Sequence, residues 1–294
     1  MIKPSKGESI FRVCNTVVLC LIALMCLLPL LNVVALSFSS ATAASTGNVT
    51  LWPKDVTLVA FKTILKKQEF LGTFWTSTKR VLIGVPLNMM LTIMAAYPLC
   101  HEKLTFRQGY VAIVVFTMLF SGGLIPMYLV VKSLGLLNSF WSLILPFAVP
   151  VYNVILMVNF FKNVPIELEE AAIIDGAGYF RTLMQTYVPC SLPSIATLTL
   201  FCVVNHWNEW FYGAIFLNRL EDMPLQTYLQ QLLSLTKAAS MQNLSQKEME
   251  EMAKINSRTF NAAQIVISSL PVLVIYPFLQ KYFVTGLTLG SVKG

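Results

Sequence analysis

Six apolar stretches, each about as long as a lipid bilayer is thick, constrain this chain more than any other feature of its sequence. A hydrocarbon core about 30 Å thick takes roughly 20 residues of α-helix to cross. Prolines and glycines within the stretches do not exclude helix, because neighbouring helices in a membrane bundle re-satisfy the freed backbone groups. The sequence therefore predicts an all-α integral membrane protein with six transmembrane helices, over residues 17–36, 81–99, 110–131, 140–161, 194–217 and 262–284.

The composition agrees with lipid as the solvent for much of this surface. Hydrophobic residues make up 56% of the chain and charged residues 12%, about half the charged fraction of an average soluble domain. The formal net charge of +7 is ordinary for a membrane protein with cytoplasmic lysines and arginines and contacts with anionic membrane lipid. We therefore expect no nucleic-acid partner.

The six cysteines predict no metal site and no disulfide. They fall mostly inside apolar runs and show no CxxC spacing, so we interpret them as small buried hydrophobic residues.

The amino terminus admits two interpretations. Lys3, Lys6 and Arg12 precede the first apolar run, and residues 41–43 resemble a signal-peptidase site. The core of a signal peptide is usually about 7–15 residues long, shorter than this run, so we favour a retained spanning helix. Three basic residues before the run, against Lys54 shortly after it, favour a cytoplasmic amino terminus.

Two longer connections, residues 37–80 and 218–261, contain further helical patterns. Ser245–Glu248 matches a capping box and precedes a helix-forming run, and residues 56–67 fit a short amphipathic helix. We interpret both as surface helices that cover the bundle. No internal repeat is visible in the sequence.

The connection between the fourth and fifth runs carries the sequence ELEEAAIIDGAG, residues 167–178. Pro165 suits the first turn of a helix, whose amino-terminal end favours the nearby carboxylates. Ala171 and Ala172 leave a shallow face for close packing, and Gly176 and Gly178 stop the helix. Residues 165–188 are thus predicted to form a helix–turn–helix on the membrane face, unless they are a plain connector that only reverses the chain.

This segment resembles the EAA motif of permease subunits of ABC importers. The motif here comprises Glu170, Ala171, Ala172, Gly176 and the stop at residues 186–189, where Thr186 stands in place of the more usual isoleucine. The wider form EAAxxDGA, the stretch SGGLIPMYLVVKSLGLLNSFWSLILP from Ser121 and the ending YPFLQKYFVTGLTLGSVKG extend the similarity over nearly the whole chain. The set is similar to the second, smaller permease subunit of maltose-type and pectin- or alginate-oligosaccharide importers.

The resemblance implies an ABC type I importer permease fold in which this segment is a coupling helix docked on a cytoplasmic ATPase subunit. It implies that Glu170 pairs with a basic residue of the ATPase and that Gly176 forms the turn. The residues implied at this contact are Glu170, Ala171, Ala172, Asp175, Gly176 and Ala177. The tail, with Gly290 and Lys293, would reach between the two ATPases.

The resemblance also implies the partners and the location. These are a second permease subunit in a heterodimeric pore, two ATPase subunits and an extracytoplasmic sugar-binding protein, at a bacterial cytoplasmic membrane. The nearest approach to a phosphate-binding loop, residues 286–293, lacks the GxxxxGK[ST] spacing. We therefore expect a non-catalytic subunit without a cofactor, with ATP and Mg bound by the partner ATPases.

The stretch NHWNEWFY, residues 205–212, is the main candidate for contact with a sugar. Polar groups within a membrane are costly, so its polar residues, Asn205, His206, Asn208 and Glu209, are expected to face a cavity or a partner. The ordinary interpretation, which we place first, is that its tryptophans form an interfacial belt. The alternative is a substrate path, with candidates Asn205, Trp207, Asn208, Trp210, Tyr152 and Asn153.

Two rival functions remain to be weighed against oligosaccharide import. An ion-coupled secondary transporter predicts an internal repeat and paired ionisable residues within the membrane, and the sequence reveals neither. An ABC importer for a non-sugar solute conflicts with the tail and with the SGGLIP stretch. The basic balance suits acidic oligouronides, while neutral oligosaccharides stay open.

Overall fold

The computed structural model describes residues 6–66, 68–239 and 257–290. It divides into two units, residues 1–68 with 231–270 and residues 69–230 with 271–294. The predicted capping box at residues 245–248 lies outside the described residues, as do Lys3 and Lys293.

All regular structure in the described ranges is helical. The first unit holds α1 (Lys6–Ser37), α2 (Ala41–Ser45) and α3 (Val59–Lys66). The helices that follow are α4 (Gln68–Cys100), α5 (Arg107–Leu119), α6 (Leu124–Ser133), α7 (Val151–Phe161), α8 (Ile166–Ile174), α9 (Tyr179–Thr182), α10 (Val188–Cys190), α11 (Leu192–Asn208) and α12 (Phe211–Phe216). Three short 3₁₀ turns cover Phe140–Leu143, Leu145–Phe147 and Leu220–Asp222, and a π-helical turn covers Leu183–Tyr187. Finally, α13 (Leu225–Ala239) and α14 (Ser257–Gly290) each contribute residues to both units.

Helix α1 is apolar and stands free of the rest of its unit over most of its length. Its candidate span, Phe11–Ser37, has none of its most apolar window buried inside the protein. Lipid is therefore the medium that suits this surface. Its carboxyl-terminal end is anchored, where Asn32 Nδ2 donates to the carbonyls of Val49 and Thr50 at 3.3 and 2.6 Å.

The core of the second unit joins three helices. Met89, Ala96 and Tyr97 of α4 pack with residues of α7 and α11, all fully or nearly buried; those residues are Val154, Met157, Phe161, Leu198 and Cys202. The end of the π-helical turn joins the same cluster through Tyr187. This core fixes the ends of α4, α7 and α11 beside the helix–turn–helix of residues 165–188.

Three helices are long and apolar enough to cross a membrane: residues 11–37, 68–100 and 258–275. Three bent pairs also pass this test, so the described residues hold up to six spans by length and composition. The predicted run 110–131 is broken at Phe120–Gly123 with a bend of 110°, and the run 140–161 is broken before α7 with a bend of 45°. Glycines and prolines at these breaks interrupt the helical hydrogen bonds.

Backbone groups freed at one break are satisfied by a side chain. Asn88 Nδ2, on α4, donates to the carbonyls of Phe147 and Ala148 at 2.8 and 2.7 Å. This is the compensation that irregular backbone in a membrane requires. The expectation that the cysteines are buried holds for Cys100 and Cys202 and is wrong for the four exposed ones, Cys14, Cys20, Cys26 and Cys190. The first three lie on the part of α1 that the rest of the protein leaves uncovered.

Candidate functional site

The EAA segment, residues 165–188, holds α8, a turn, α9, the π-helical turn and the start of α10. Helix α8 begins directly after Pro165 and carries Glu167 and Glu169 in its first turn, where the helix dipole favours carboxylates. It ends at Ile174, and Gly176 adopts a φ of +79° in the turn that follows. That conformation costs a glycine nothing and strains any residue with a Cβ.

The outer face of the EAA segment combines carboxylates with uncovered apolar side chains. Glu170, Ala171, Asp175 and Gly176 are exposed, and Ala172 and Ala177 are half-buried. Beside them Ile174 is 85% exposed, and Tyr179 and Phe180 are 82% and 70% exposed. Exposed apolar side chains beside charged ones are typical of a protein-interaction site.

The inner face of the EAA segment holds a buried carboxylate that sequence reasoning missed. Glu169 is 7% exposed, and both of its oxygens are bonded. His101 Nε2 lies 2.9 Å from Oε1, and the Tyr187 hydroxyl donates to Oε2 at 2.5 Å. The sequence offered only a weak signal, because a helix that packs on a protein turns one face inward but its pattern here does not say which carboxylate lies on that face.

A cavity of about 550 Å³ lies within the second unit, between α4 and the α11–α12 region. Its volume falls in the range of small-ligand sites. Its lining is polar and aromatic, with Arg80, Asn88, Asn205, His206, Asn208 and Glu209 alongside Phe147, Trp210, Phe211 and Tyr212. The four polar residues of the NHWNEWFY stretch thus all line a cavity, as the cost of burying polar groups in a membrane predicts.

An ion pair crosses one side of this cavity. Arg80, only 2% exposed, places Nη1 2.9 Å from Glu209 Oε2 and donates to the Glu209 carbonyl at 3.2 Å. Glu209 Oε1 also accepts from the backbone N–H of Tyr212 at 2.7 Å. Sequence reasoning did not anticipate this pair, because the two partners are 129 positions apart.

His206 is held by the same part of α4. Its Nε2 is hydrogen-bonded to Asn88 Oδ1, and its ring lies against Gly84, where an added Cβ would come within 2.6 Å of the ring. Glycine at position 84 is thus what permits the close approach of α4 and the His206 ring.

The other substrate-path candidates lie away from the cavity. Trp207 is 4% exposed and packs edge-on against Phe74 with ring centroids 5.7 Å apart. Asn153 is buried and donates to Cys202 Sγ at 3.2 Å, and Tyr152 is 57% exposed.

Of the two tail residues implied to contact the ATPases, Gly290 is the last residue of α14. Within residues 6–66, 68–239 and 257–290, no three His, Cys, Asp or Glu side chains are grouped as a metal site would require.

The family described as the binding-protein-dependent transport system inner membrane component matches residues 81–289 of the 294. The chain belongs to this family. The resemblance drawn from the EAA segment is thereby confirmed, and the chain is a permease component of an ABC importer rather than an ion-coupled transporter.

Similar proteins span nearly all of this permease. The polygalacturonan/rhamnogalacturonan transport system permease protein YtcP of Bacillus subtilis is 40% identical over 94% of this chain and 96% of its own. Protein LplC of the same organism is 38% identical over 99% of this chain and 97% of its own. A chain in the crystal structure of a bacterial ABC transporter involved in the import of the acidic polysaccharide alginate matches with a TM-score of 0.85 and 32% identity, covering 96% of this permease and 100% of that chain.

Proposed function

We propose that this permease imports acidic oligouronides, as the second, smaller permease subunit of a heterodimeric pore. The observation that carries the proposal is the 40% identity, over nearly the full length, to a permease named for polygalacturonan and rhamnogalacturonan. The alginate importer, at 32% identity and a TM-score of 0.85, is named for another acidic polysaccharide. The names of both relatives thus point to polysaccharides that contain uronate groups.

The proposed assembly contains the second permease subunit, two ATPase subunits and an extracytoplasmic sugar-binding protein. ATP hydrolysis takes place on the ATPases, and this chain contributes half of the pore. In the bacterial cytoplasmic membrane it has six spans and a cytoplasmic amino terminus, which puts the connections after the second and fourth spans on the cytoplasmic side. The contact between His101 and Glu169 joins these two connections and supports their lying on one side.

The exposed face of the EAA segment is the proposed contact with the ATPase. Glu170 and Asp175 supply negative charge, and the small side chains of Ala171, Ala172 and Ala177 permit close approach at the turn made by Gly176. The uncovered Ile174, Tyr179 and Phe180 support a docking role, since burial of such residues stabilises a protein interface. Gly290 and Lys293 of the tail are proposed to reach the ATPases as well.

We propose that the sugar moves past this subunit along the 550 Å³ cavity. Asn205 and Asn208 offer hydrogen bonds to hydroxyls, and Trp210, 41% exposed, offers a ring face to a sugar ring. Trp207, Tyr152 and Asn153 do not line the cavity, so we place them outside the proposed path.

Uptake by the reconstituted complex tests this proposal. Proteoliposomes would contain both permease subunits and the two ATPases, with the binding protein outside and ATP inside. We expect uptake of a short radiolabelled oligogalacturonide and little uptake of a maltodextrin of equal length. Omission of the ATPases should abolish uptake. Equal uptake without them, or a preference for the neutral sugar, would contradict the proposal.

A further inference from the structure

The buried carboxylate of Glu169 is out of place in a segment whose other charged residues are exposed. Burial of an unpaired carboxylate is costly, yet this one sits at the inner face of α8 with a partner on each oxygen. Glu169 belongs to none of the contacts proposed above, which all lie on the outer face. Its role must therefore lie in how the EAA segment is attached to the rest of the protein.

The two partners of Glu169 belong to two different helical elements. His101 directly follows α4, and Tyr187 ends the π-helical turn that leads through α10 into α11. The Tyr187 ring lies 5.1 Å from that of Tyr97 and 5.5 Å from that of Phe161, at the ends of α4 and α7. One carboxylate thus ties α8 to the ends of the three helices that form the core.

The hydrogen-bond geometry gives the contact with His101 a defined direction. His101 Nδ1 lies 2.7 Å from the carbonyl of Tyr97, and since a carbonyl only accepts, Nδ1 carries a hydrogen. Nε2 then lies 2.9 Å from the Glu169 carboxylate, within the distance of a hydrogen bond. Charge-assisted bonds of this kind are stronger and more directional than neutral ones.

We propose that His101, Glu169 and Tyr187 are positioning residues that make α8 move as one body with α4 and α11. The inference rests on the proposed function of the EAA segment as the ATPase contact. A movement imposed on the outer face of α8 reaches the spans only if α8 does not bend relative to them. The Glu169 carboxylate, bonded to both His101 and Tyr187, opposes that bending. The π-helical turn at residues 183–187, a form often found at functional sites, places the Tyr187 hydroxyl on Glu169.

Three substitutions in the full complex test the proposal. Glu169→Gln replaces the carboxyl group and keeps the shape, Tyr187→Phe removes one hydroxyl and keeps the ring packing, and His101→Ala removes the imidazole. Glu102→Gln, an exposed carboxylate beside His101, is the matched control. Each complex, in proteoliposomes, is measured for bound ATPase subunits, melting temperature and uptake of the oligogalacturonide probe per ATP hydrolysed.

We expect Glu169→Gln and Tyr187→Phe to retain the ATPases but to lose about tenfold in uptake per ATP, the scale of a hydrogen bond to a charged group. Glu102→Gln should behave as wild type. His101→Ala combined with Glu169→Gln should be no worse than Glu169→Gln alone, because both remove the same contact.

Two other outcomes would overturn the inference. Uptake that falls only in proportion to the amount of folded complex would make the three residues structural. Wild-type uptake per ATP in Glu169→Gln and Tyr187→Phe would leave the EAA segment as the ATPase contact but remove the positioning role. Failure of the proposed function itself would show separately, as uptake by the wild-type permease without ATPases.

Discussion

At the scale of single residues, the decisive feature is where charge is buried. Arg80 is 2% exposed and Glu169 is 7% exposed, and each is paired with a residue distant in sequence. Breaking such a pair from one side is more damaging than removing both partners, because it leaves a charge buried without compensation. Buried charges in this permease therefore act as constraints on which helix ends can meet.

Glu209→Gln tests this constraint at the cavity. The glutamine keeps an oxygen for the N–H of Tyr212 but leaves the Arg80 guanidinium without a counter-charge, so we expect a loss of roughly 3 kcal/mol of stability. The measurement is denaturant unfolding of the purified permease in detergent. Glu221→Gln, at an exposed glutamate, should change stability little.

The double variant Arg80→Met with Glu209→Gln provides the second arm of that experiment. Removal of both charges should recover much of the lost stability, since apolar replacements of a buried pair are often neutral. If the double variant is less stable than Glu209→Gln alone, the pair does not impose the constraint described here.

At the scale of elements, the helix–turn–helix of the EAA segment depends on one backbone conformation. Gly176 has a φ of +79°, and nothing lies within 4 Å of the position a Cβ would occupy. A substitution there is opposed by backbone strain alone, without steric contact. The turn can thus be altered while the surrounding packing stays in place.

Gly176→Val should distort this turn at a cost of roughly 1–3 kcal/mol, because a β-branched residue strongly disfavours positive φ. We expect loss of ATP-driven uptake and of ATPase binding, with the permease still folded by its melting temperature in detergent. Gly178→Ala, at a φ of −77° with open space around it, is the matched control. Normal uptake by Gly176→Val would count against the turn as part of the docking surface.

At the scale of the whole molecule, each connection between spans must lie on the correct side of the membrane for the proposed assembly to form. A cytoplasmic amino terminus and six spans put the connection that contains Ala171 on the same side as the ATPases. The same topology puts residues 37–80 on the opposite side. Both segments hold exposed positions, Ala171 and Asn48, that a reagent could reach.

Cysteine labelling from one side measures this topology. In a cysteine-free background, Ala171→Cys should react with a membrane-impermeant maleimide only in inside-out vesicles. Asn48→Cys should react only in right-side-out spheroplasts. Labelling of Ala171→Cys from the external medium would refute the proposed orientation and the coupling role together.

The sequence by itself determined the features that are encoded locally. The lengths of the apolar runs predicted a helical membrane protein, and the order of Pro165, the acidic turn, the alanines and Gly176 predicted α8 and its end. The EAA spacing, together with the stretch from Ser121 and the ending of the chain, predicted the family. Each of these signals lies within a few turns of helix, where side-chain chemistry acts directly on the backbone.

Tertiary structure alone decided which face of each helix is covered and which distant residues meet. His101 and Glu169 are 68 positions apart, Asn88 and His206 are 118 apart, and Arg80 and Glu209 are 129 apart. Glycines and prolines of the sequence interrupt the apolar runs, but packing decided that Asn88 satisfies the carbonyls freed before α7. A single sequence gives the cost of burying each polar group, but its partner is chosen only when the helices pack together.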